Sequence, residues 1–277
     1  MQRIILFIIL ATVILFTVAC SRDDSRGHDD IENAREAYSK GLYLESEKDY
    51  ERYLQVEPQG EYRKEAWDRL SEIAVNIKGD LDRAVVLLEA MYLELGMDKN
   101  DAWRIMFQLG DVYAQLGNKL KAIESFEKCL IHADGSPQNT YVTQLRIARL
   151  YRSTGNYDLV AATLENCADS AVDDESKARC LYQLAQSYSF ISNWSQSKRA
   201  LETLLELKNV SEETHVLAVF LLADIYENER NYIKTQELLK SILTTYPNPK
   251  VIESRLSNLP YIPPPEKIAP PPLLKKK

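Results

Sequence analysis

Apolar residues recur along most of this chain at the three- and four-residue spacing of amphipathic helices. Residues 107–130 show the pattern well, yet they include Gly110 and Gly117. Each glycine would cost about 1 kcal/mol inside an ordinary helix. The pattern therefore predicts two helices with Gly117 at the turn between them, where a residue without Cβ can take the left-handed conformation that ends a helix.

The same pattern returns every 37 or 38 residues. The turn position is occupied in successive copies by Gly41, Gly79, Gly117, Gly155, Ser192 and Arg230. Seven residues before it stands a small residue in four copies, namely Gly110, Ala148, Ala185 and Ala223. Five residues after it stands a column of mostly small residues: Ser46, Ala84, Ala122, Val160, Ser197 and Thr235. We expect each copy to be a helical hairpin whose two helices approach closely at these small residues.

These columns resemble the tetratricopeptide repeat (TPR), and the resemblance extends over roughly residues 27–247. Within residues 103–136 the matching positions are Leu109, Gly110, Tyr113, Gly117, Ala122 and Phe126. The resemblance implies an all-α, TPR-like α-solenoid, a right-handed superhelix of about six helical hairpins. A last helix with Ile252, Leu256 and Leu259 on one face is expected to cover the apolar end of the array.

Two departures from the TPR pattern stand out. The usual period is about 34 residues, so the three or four extra residues here predict longer loops or one added helical turn. The first repeat has Asn33 and Ala37 where Leu and Tyr are expected, and the second has Ser71 and Glu72 unless one residue is inserted. We expect these two repeats to be irregular or partly frayed. HEAT-type repeats are nearer in period but do not explain the columns.

The N-terminus predicts export. Arg3 precedes the apolar run of residues 4–19, whose 16 residues would span about 24 Å as a helix, less than the ~30 Å of a bilayer core. This length is typical of a signal peptide. The run ends in Thr17-Val18-Ala19-Cys20, which resembles the lipobox of bacterial lipoproteins and implies cleavage after residue 19 and lipidation of Cys20. An uncleaved short transmembrane helix is the alternative.

The segments outside the repeats complete the predicted organisation. After the signal peptide at 1–19, residues 20–31 are polar and predicted to be a flexible tether to an array at 32–259. Residues 260–277 contain seven prolines and end in three lysines, which predicts an extended, disordered tail; the alternative is a tail that contacts cell-wall polymer. The residue after Cys20 is Ser21, which by resemblance to bacterial sorting signals implies the outer membrane, facing the periplasm.

Composition and spacing favour a non-enzymatic protein. The net charge of −7 disfavours a nucleic-acid partner, because phosphate binding needs a basic surface. His28, His132 and His215 are not spaced as metal ligands, and no phosphate-binding loop or nucleophile motif is present. We therefore predict no catalytic, metal or cofactor site.

The three remaining cysteines are expected to be buried free thiols. Cys129 and Cys167 occupy one buried column, where packing accounts for them. Export would permit a disulfide between Cys167 and Cys180, which is the alternative.

The TPR resemblance also implies where a partner binds. The first helices of successive hairpins line a concave groove in TPR proteins, and the corresponding positions here are Phe107, Asp111, Gln115, Leu145, Arg149, Arg152, Tyr182, Gln186, Phe190, Phe220, Asp224 and Glu227. The aromatic column at 107, 182 and 220 fits either binding or packing against neighbouring helices. The Lys/Asn/Arg set by which chaperone-binding TPRs hold a C-terminal carboxylate is not reproduced.

These observations predict a membrane-anchored TPR scaffold that mediates protein–protein interactions in envelope or outer-membrane complex assembly. The organisation resembles the TPR subunit of the outer-membrane β-barrel assembly machine and the pilotins of type IV pili. The alternatives are a peptidoglycan-binding accessory module that uses the C-terminal tail, or a pilotin-like factor in secretion or pilus assembly.

Overall fold

The computed structural model describes residues 23–133 and 135–260. These residues form thirteen α-helices and one π-helical segment, without any β-strand among them. The helices are α1 (Asp23–Ser39), α2 (Tyr43–Val56), α3 (Arg63–Glu72), which continues into the π-helical segment (Ile73–Lys78), α4 (Leu81–Leu95), α5 (Lys99–Gln115), α6 (Lys119–His132), α7 (Pro137–Ser153), α8 (Tyr157–Ser170), α9 (Asp174–Phe190), α10 (Trp194–Leu205), α11 (Glu212–Asn228), α12 (Tyr232–Ser241) and α13 (Pro249–Asn258).

Counted along the chain, the helices form six consecutive pairs, α1–α2 to α11–α12, each joined by a short turn, and α13 follows them. The helices of the first three pairs and of the last two pairs pack against each other as hairpins. The predicted all-α, α-solenoid fold class is confirmed. The extra residues of the long repeat lie in helices, because α5, α7, α9 and α11 each have 17 residues and the connections between hairpins are short. The chain divides into two compact units, one ending at Leu150 and the other beginning at Tyr151.

The turn between the helices of each hairpin has left-handed backbone geometry. The φ angles are positive at Gly41, Gly79, Gly117 and Gly155, and also at Ser192 (57°) and Arg230 (60°). Asparagine follows several of these turns, and the side chains of Asn118 and Asn193 accept hydrogen bonds from the first turn of the next helix. The predicted role of the turn glycines is therefore confirmed.

Close helix contact accounts for the small-residue columns. A Cβ placed on Gly110 would lie 2.7 Å from the ring of Phe126, which leaves no room for a side chain. In other hairpins a buried hydroxyl joins the two helices, since Ser46 Oγ donates to the carbonyl of Ala34 at 2.9 Å and Ser197 Oγ to that of Ala185 at 2.8 Å. The buried hydroxyl of the second helix thus has a hydrogen-bond acceptor in the backbone of the first helix.

The π-helical segment explains the irregular second repeat. In the third hairpin the N–H of Asn118 bonds to the carbonyl of Tyr113, five residues earlier, whereas the N–H of Asp80 bonds to that of Ala74, six residues earlier. One residue has therefore been inserted, as the sequence allowed. Counting with the insertion, the buried residues Leu70 and Ser71 take the positions of Leu109 and Gly110.

The first helix begins earlier than the sequence predicted. The expected flexible tether over 20–31 is wrong for residues 23–31, which are helical, and Ile31 is fully buried. Asp30 is also buried and accepts a hydrogen bond from Arg52 Nε of α2 at 2.7 Å. The carboxylate of Asp30 is therefore ion-paired, whereas the sequence placed this residue in a solvent-exposed tether. The first hairpin is regular rather than frayed.

The last helix covers the apolar end of the second unit as predicted. Ile252 is fully buried in a cluster with Val216, Val219, Leu239 and other residues of α11 and α12. The partly buried Leu256 and Leu259 pack against the same cluster. The apolar face of the sixth hairpin is therefore shielded from water by α13.

Two of the three described cysteines form a disulfide. Cys167, near the end of α8, is bonded to Cys180 of α9, with 5.9 Å between their Cα atoms. The expectation of free thiols is wrong for this pair, because the short connection between α8 and α9 brings the two buried columns together. Cys129 remains a buried free thiol, as expected.

Reduction of the disulfide should destabilise the second unit. The bond closes a loop with a sequence separation of 13 residues, so dithiothreitol or a Cys167→Ser variant is expected to lower the free energy of unfolding by about 2–4 kcal/mol. Urea unfolding followed by circular dichroism, with and without reductant, measures this. Cys129→Ala is the control and should keep the full effect of reductant. Equal unfolding midpoints with and without reductant would contradict the assignment.

Glu175 of α9 holds the start of α11. Its carboxylate accepts hydrogen bonds from the backbone N–H of Ser211 (2.7 Å), Thr214 Oγ1 (2.8 Å) and Arg179 Nε (2.7 Å). Burial alone would raise the pKa of Glu175, but these hydrogen bonds outweigh it and lower the pKa from 4.5 to about 2. The charged form is therefore the one that joins the fifth hairpin to the sixth.

Because the folded-state pKa of Glu175 is depressed, its stabilisation is present above pH 4.5 and is lost as the pH falls toward 2. Glu175→Gln should cost about 1–3 kcal/mol at pH 7 and show a smaller loss of stability than the wild type between pH 5 and about 2. Urea midpoints across this range measure the difference. Glu202→Gln, at an exposed position of α10, should behave as the wild type; a variant E175Q with the wild-type pH profile would refute the role.

Candidate functional site

Two adjacent clefts open between the first helices of the first unit. The α3–α5 cleft has a volume of about 430 Å³ and lies between the wall formed by α3 with its π-helical segment and α5. The α5–α7 cleft has a volume of about 370 Å³ and lies on the other side of α5. Asp111 and Gln115 line both clefts. Helix α5 is therefore the shared wall of the site.

The spacing along α5 sets which side chains reach the clefts. Arg104, Gln108, Asp111 and Gln115 are separated by three or four residues, which places them on one face of the helix. The other face is apolar and fully or almost fully buried, with Ala102, Ile105, Leu109 and Val112 in the core. Burial of that apolar face fixes the rotation of α5, so its polar face is held open.

Ion pairs connect the first helices across the clefts. Asp68 of α3 pairs with Arg104 of α5 at 2.5 Å, and Asp111 of α5 pairs with Arg146 of α7 at 3.0 Å. Burial raises the pKa of Asp111, while Arg146 and Arg149 act in the opposite direction. These partly exposed pairs set the positions of the charged groups, and each contributes little to stability.

Four polar side chains along the clefts are not used by these pairs. Asn76, Gln108, Gln115 and Arg149 are all exposed. Their side chains make no hydrogen bond or ion pair with other residues of 23–133 and 135–260. A side-chain amide offers both donors and an acceptor, and a guanidinium offers five donors. The clefts therefore hold polar groups that a bound partner can satisfy.

Among the groove positions predicted in the first unit, Asp111, Gln115 and Arg149 line the clefts. Phe107 is packed instead, with its ring 5.1 Å from that of Trp103 and 5.4 Å from that of Phe126. Leu145 is half-buried and contributes to neither cleft. The aromatic column at position 107 thus serves packing in this hairpin.

The predicted groove positions in the middle of the second unit contact one another. The guanidinium of Arg152 lies 5.7 Å from the ring centre of Phe190, whose side chain is exposed. Gln186 Nε2 donates to the hydroxyl of Tyr182 at 3.1 Å. Burial raises the pKa of Tyr182. These four side chains form a polar and aromatic surface on α7 and α9.

The predicted positions in the sixth hairpin contact α13. Arg255 of α13 lies 4.9 Å above the ring of Phe220, pairs with Asp224 at 3.1 Å and also forms an ion pair with Glu227. The ring of Phe220 is stacked on Tyr246 at 4.8 Å. Helix α13 thus contacts all three residues, while the side chains of Asp224 and Glu227 remain 44% and 38% exposed and line a further cleft of about 410 Å³.

Sequence reasoning missed Asn76, Gln108, Arg104 and Arg146 in the clefts. It followed a spacing of four from Phe107 to Gln115, whereas the exposed face of α5 follows spacings of four, three and four from Arg104. The polar side chains at those spacings were the signal in the sequence that could have identified this face. Asn76 gave none, because its position depends on the inserted residue.

Neither a metal-binding cluster nor a membrane-spanning helix is found in the described part of the chain. No group of three or more His, Cys, Asp or Glu side chains there is arranged to hold a metal ion. Likewise, no helix within residues 23–260 as described combines the length and the apolar character needed to cross a membrane. The predicted signal peptide, the lipidation site Cys20 and the tail at 261–277 lie outside the described residues.

Comparisons with known proteins agree with this geometry. Family models described as tetratricopeptide repeat match residues 104–130 and 145–178. These two segments of the chain are therefore similar to tetratricopeptide repeats. The first matched TPR covers most of the α5–α6 hairpin and so includes the shared wall of the two clefts. No match to this chain was found among curated protein sequences.

Several solved structures share the fold. BtubC from P. vanneervenii is 14% identical, with a TM-score of 0.54, over 92% of this chain and 98% of that one. MamA 41-end from Desulfovibrio magneticus RS-1 is 17% identical, with a TM-score of 0.50, over 66% and 94%. YrrB, described as a TPR protein with an unusual peptide-binding site, is 14% identical, with a TM-score of 0.50, over 74% and 97%. At these identities the likeness shows the TPR fold alone.

Proposed function

We propose that this chain is an exported TPR scaffold, anchored to a membrane through a lipid on Cys20, that binds a protein partner in the α3–α5 and α5–α7 clefts. Its role is to hold that partner at the envelope surface where complexes are assembled. Tetratricopeptide repeats mediate protein–protein interactions, and YrrB is described as having a peptide-binding site.

The observation that carries the proposal is the set of unpartnered polar side chains on an otherwise ordered helix face. Gln108 and Gln115 lie on the exposed face of α5 beside two clefts of about 430 and 370 Å³. The core, the ion pairs and the turns of the described residues do not use these two side chains. A polar partner with an extended backbone would find donors and acceptors already positioned there.

Two features support an extracytoplasmic location. The disulfide between Cys167 and Cys180 is of a kind that persists in oxidising compartments and is rare in the cytosol. The stretch from Arg3 to Cys20 has the charge, the apolar run and the small residues of an exported lipoprotein. Both features favour the periplasm, and Ser21 favours the outer membrane.

A photocrosslinking amino acid at position 108 tests the proposed binding site. In cells, Gln108→p-benzoylphenylalanine is expected to give a discrete covalent adduct with a protein, which mass spectrometry identifies. The matched control is position 120 on α6, where Leu120 is 81% exposed but lies away from both clefts. Adducts from position 120 but none from position 108 would refute binding in the clefts.

Cys20→Ser tests the anchor. Without lipid the protein is expected to move from the membrane pellet to the soluble periplasmic fraction, because in this proposal the acyl chains hold it at the membrane. Fractionation followed by immunoblotting measures the distribution, and the unchanged wild type is the control. A variant C20S that remained in the membrane fraction would show that lipidation is not what holds the protein there.

A further inference from the structure

The two clefts differ in the charge of their linings. Three carboxylates, those of Asp68, Glu72 and Asp111, face the α3–α5 cleft together with a single cation, Arg104. In the α5–α7 cleft the carboxylate of Asp111 is accompanied by two cations, Arg146 and Arg149. One side of α5 is therefore acidic and the other basic.

After the ion pairs within the protein are taken into account, one charged group still faces each cleft: the carboxylate of Glu72 in the α3–α5 cleft and the guanidinium of Arg149 in the α5–α7 cleft. Glu72 pairs with Arg69 at 2.7 Å, and Arg69 lies over the ring of Tyr38 and does not line the cleft. The side chain of Glu72 is 38% exposed. On the other side, Arg149 is exposed and makes no ion pair with the described residues. A cation is thus favoured beside Glu72 and an anion beside Arg149.

The side-chain amides in the clefts indicate what kind of ligand connects the cation in one cleft to the anion in the other. Asn76 lies in the wall of the α3–α5 cleft, Gln108 lies in the same cleft and Gln115 borders both. Each side-chain amide matches the donor and acceptor of one peptide group. Because they are distributed from one cleft to the other across α5, they suit a peptide backbone that crosses the helix rather than a compact ligand.

Building on the proposed function, we propose that the clefts bind an extended peptide segment of a separate protein, with a Lys or Arg side chain in the α3–α5 cleft and an Asp or Glu side chain in the α5–α7 cleft. Neighbouring packed helices are about 8–10 Å apart, so the two clefts, one on each side of α5, are separated by about the same distance. An extended chain rises about 3.3 Å per residue. The two charged residues are therefore separated by about three positions, and Arg149 and Glu72 select them.

A charge-scanning peptide library tests this inference. The probe is a set of decapeptides, acetylated at the N-terminus and amidated at the C-terminus, with Lys and Glu at every separation and Gly, Ser, Ala or Thr elsewhere. Peptides with the two charges two to four residues apart should be retained on the immobilised protein more strongly than those with two Lys, two Glu or neither. Each exposed charge contact is expected to contribute up to about fivefold.

Two variants assign the charges to their clefts. Arg149→Gln should remove the preference for Glu and keep that for Lys, while Glu72→Gln should do the reverse. Arg149→Glu should convert the preference at that position from Glu to Lys, a gain that misfolding could not produce. Arg199→Gln and Glu202→Gln on α10, both exposed and outside the clefts, are the matched controls and should change nothing.

The outcomes separate this inference from the proposed function. The inference would be overturned if the library showed no charge preference, or if the preferences for Lys and Glu survived in both R149Q and E72Q. It would also be overturned if the α10 control variants lost these preferences to the same extent. If position 108 still captures a protein in cells in that case, the binding site stands and only the chemistry of its partner is wrong. If position 108 captures none, the proposed function itself fails.

Discussion

The close approach of the two helices in each hairpin is the constraint on which the rest of the structure depends. Gly110 leaves room for the ring of Phe126 only because it has no Cβ, and buried hydroxyls such as those of Ser46 and Ser197 bond directly to a carbonyl on the facing helix. With the helices in contact at these points, their apolar faces are removed from water together. The rotation of every first helix is then fixed, and so is the set of polar residues that it exposes.

The binding surface follows from that rotation. The ion pairs between Asp68 and Arg104 and between Asp111 and Arg146 hold neighbouring first helices in register, while the amides and Arg149 are left exposed. In the sixth hairpin Arg255 of α13 contacts Phe220 and Asp224 on the same kind of surface. The last helix therefore does more than shield apolar side chains. It also supplies the cation that a neighbouring helix or a partner would otherwise provide.

The turn glycines, the small columns and the final amphipathic helix were all readable from the sequence, because each depends on local geometry that repeats along the chain. For the disulfide the sequence offered the Cys167–Cys180 pair only as the alternative to free thiols, since the two residues share no repeat position and meet only when α8 and α9 are folded. The sequence also did not predict that α1 begins at Asp23, ahead of the buried Asp30, which accepts a hydrogen bond from Arg52. In the clefts, Asp111, Gln115 and Arg149 were predicted, whereas Gln108 and Arg146 required the observed rotation of α5 and α7.

The extra residue in the π-helical segment has an evolutionary consequence. It lies in a wall of the α3–α5 cleft, and the buried residues before it, Leu70 and Ser71, still occupy the repeat positions of Leu109 and Gly110. A single-codon deletion there would return the turn to ordinary α-helical geometry while Leu70 and Ser71 kept their packing partners. Descendants of one ancestral gene could thus diverge in what they recognise by indels at this point, without any substitution in the hydrophobic interior.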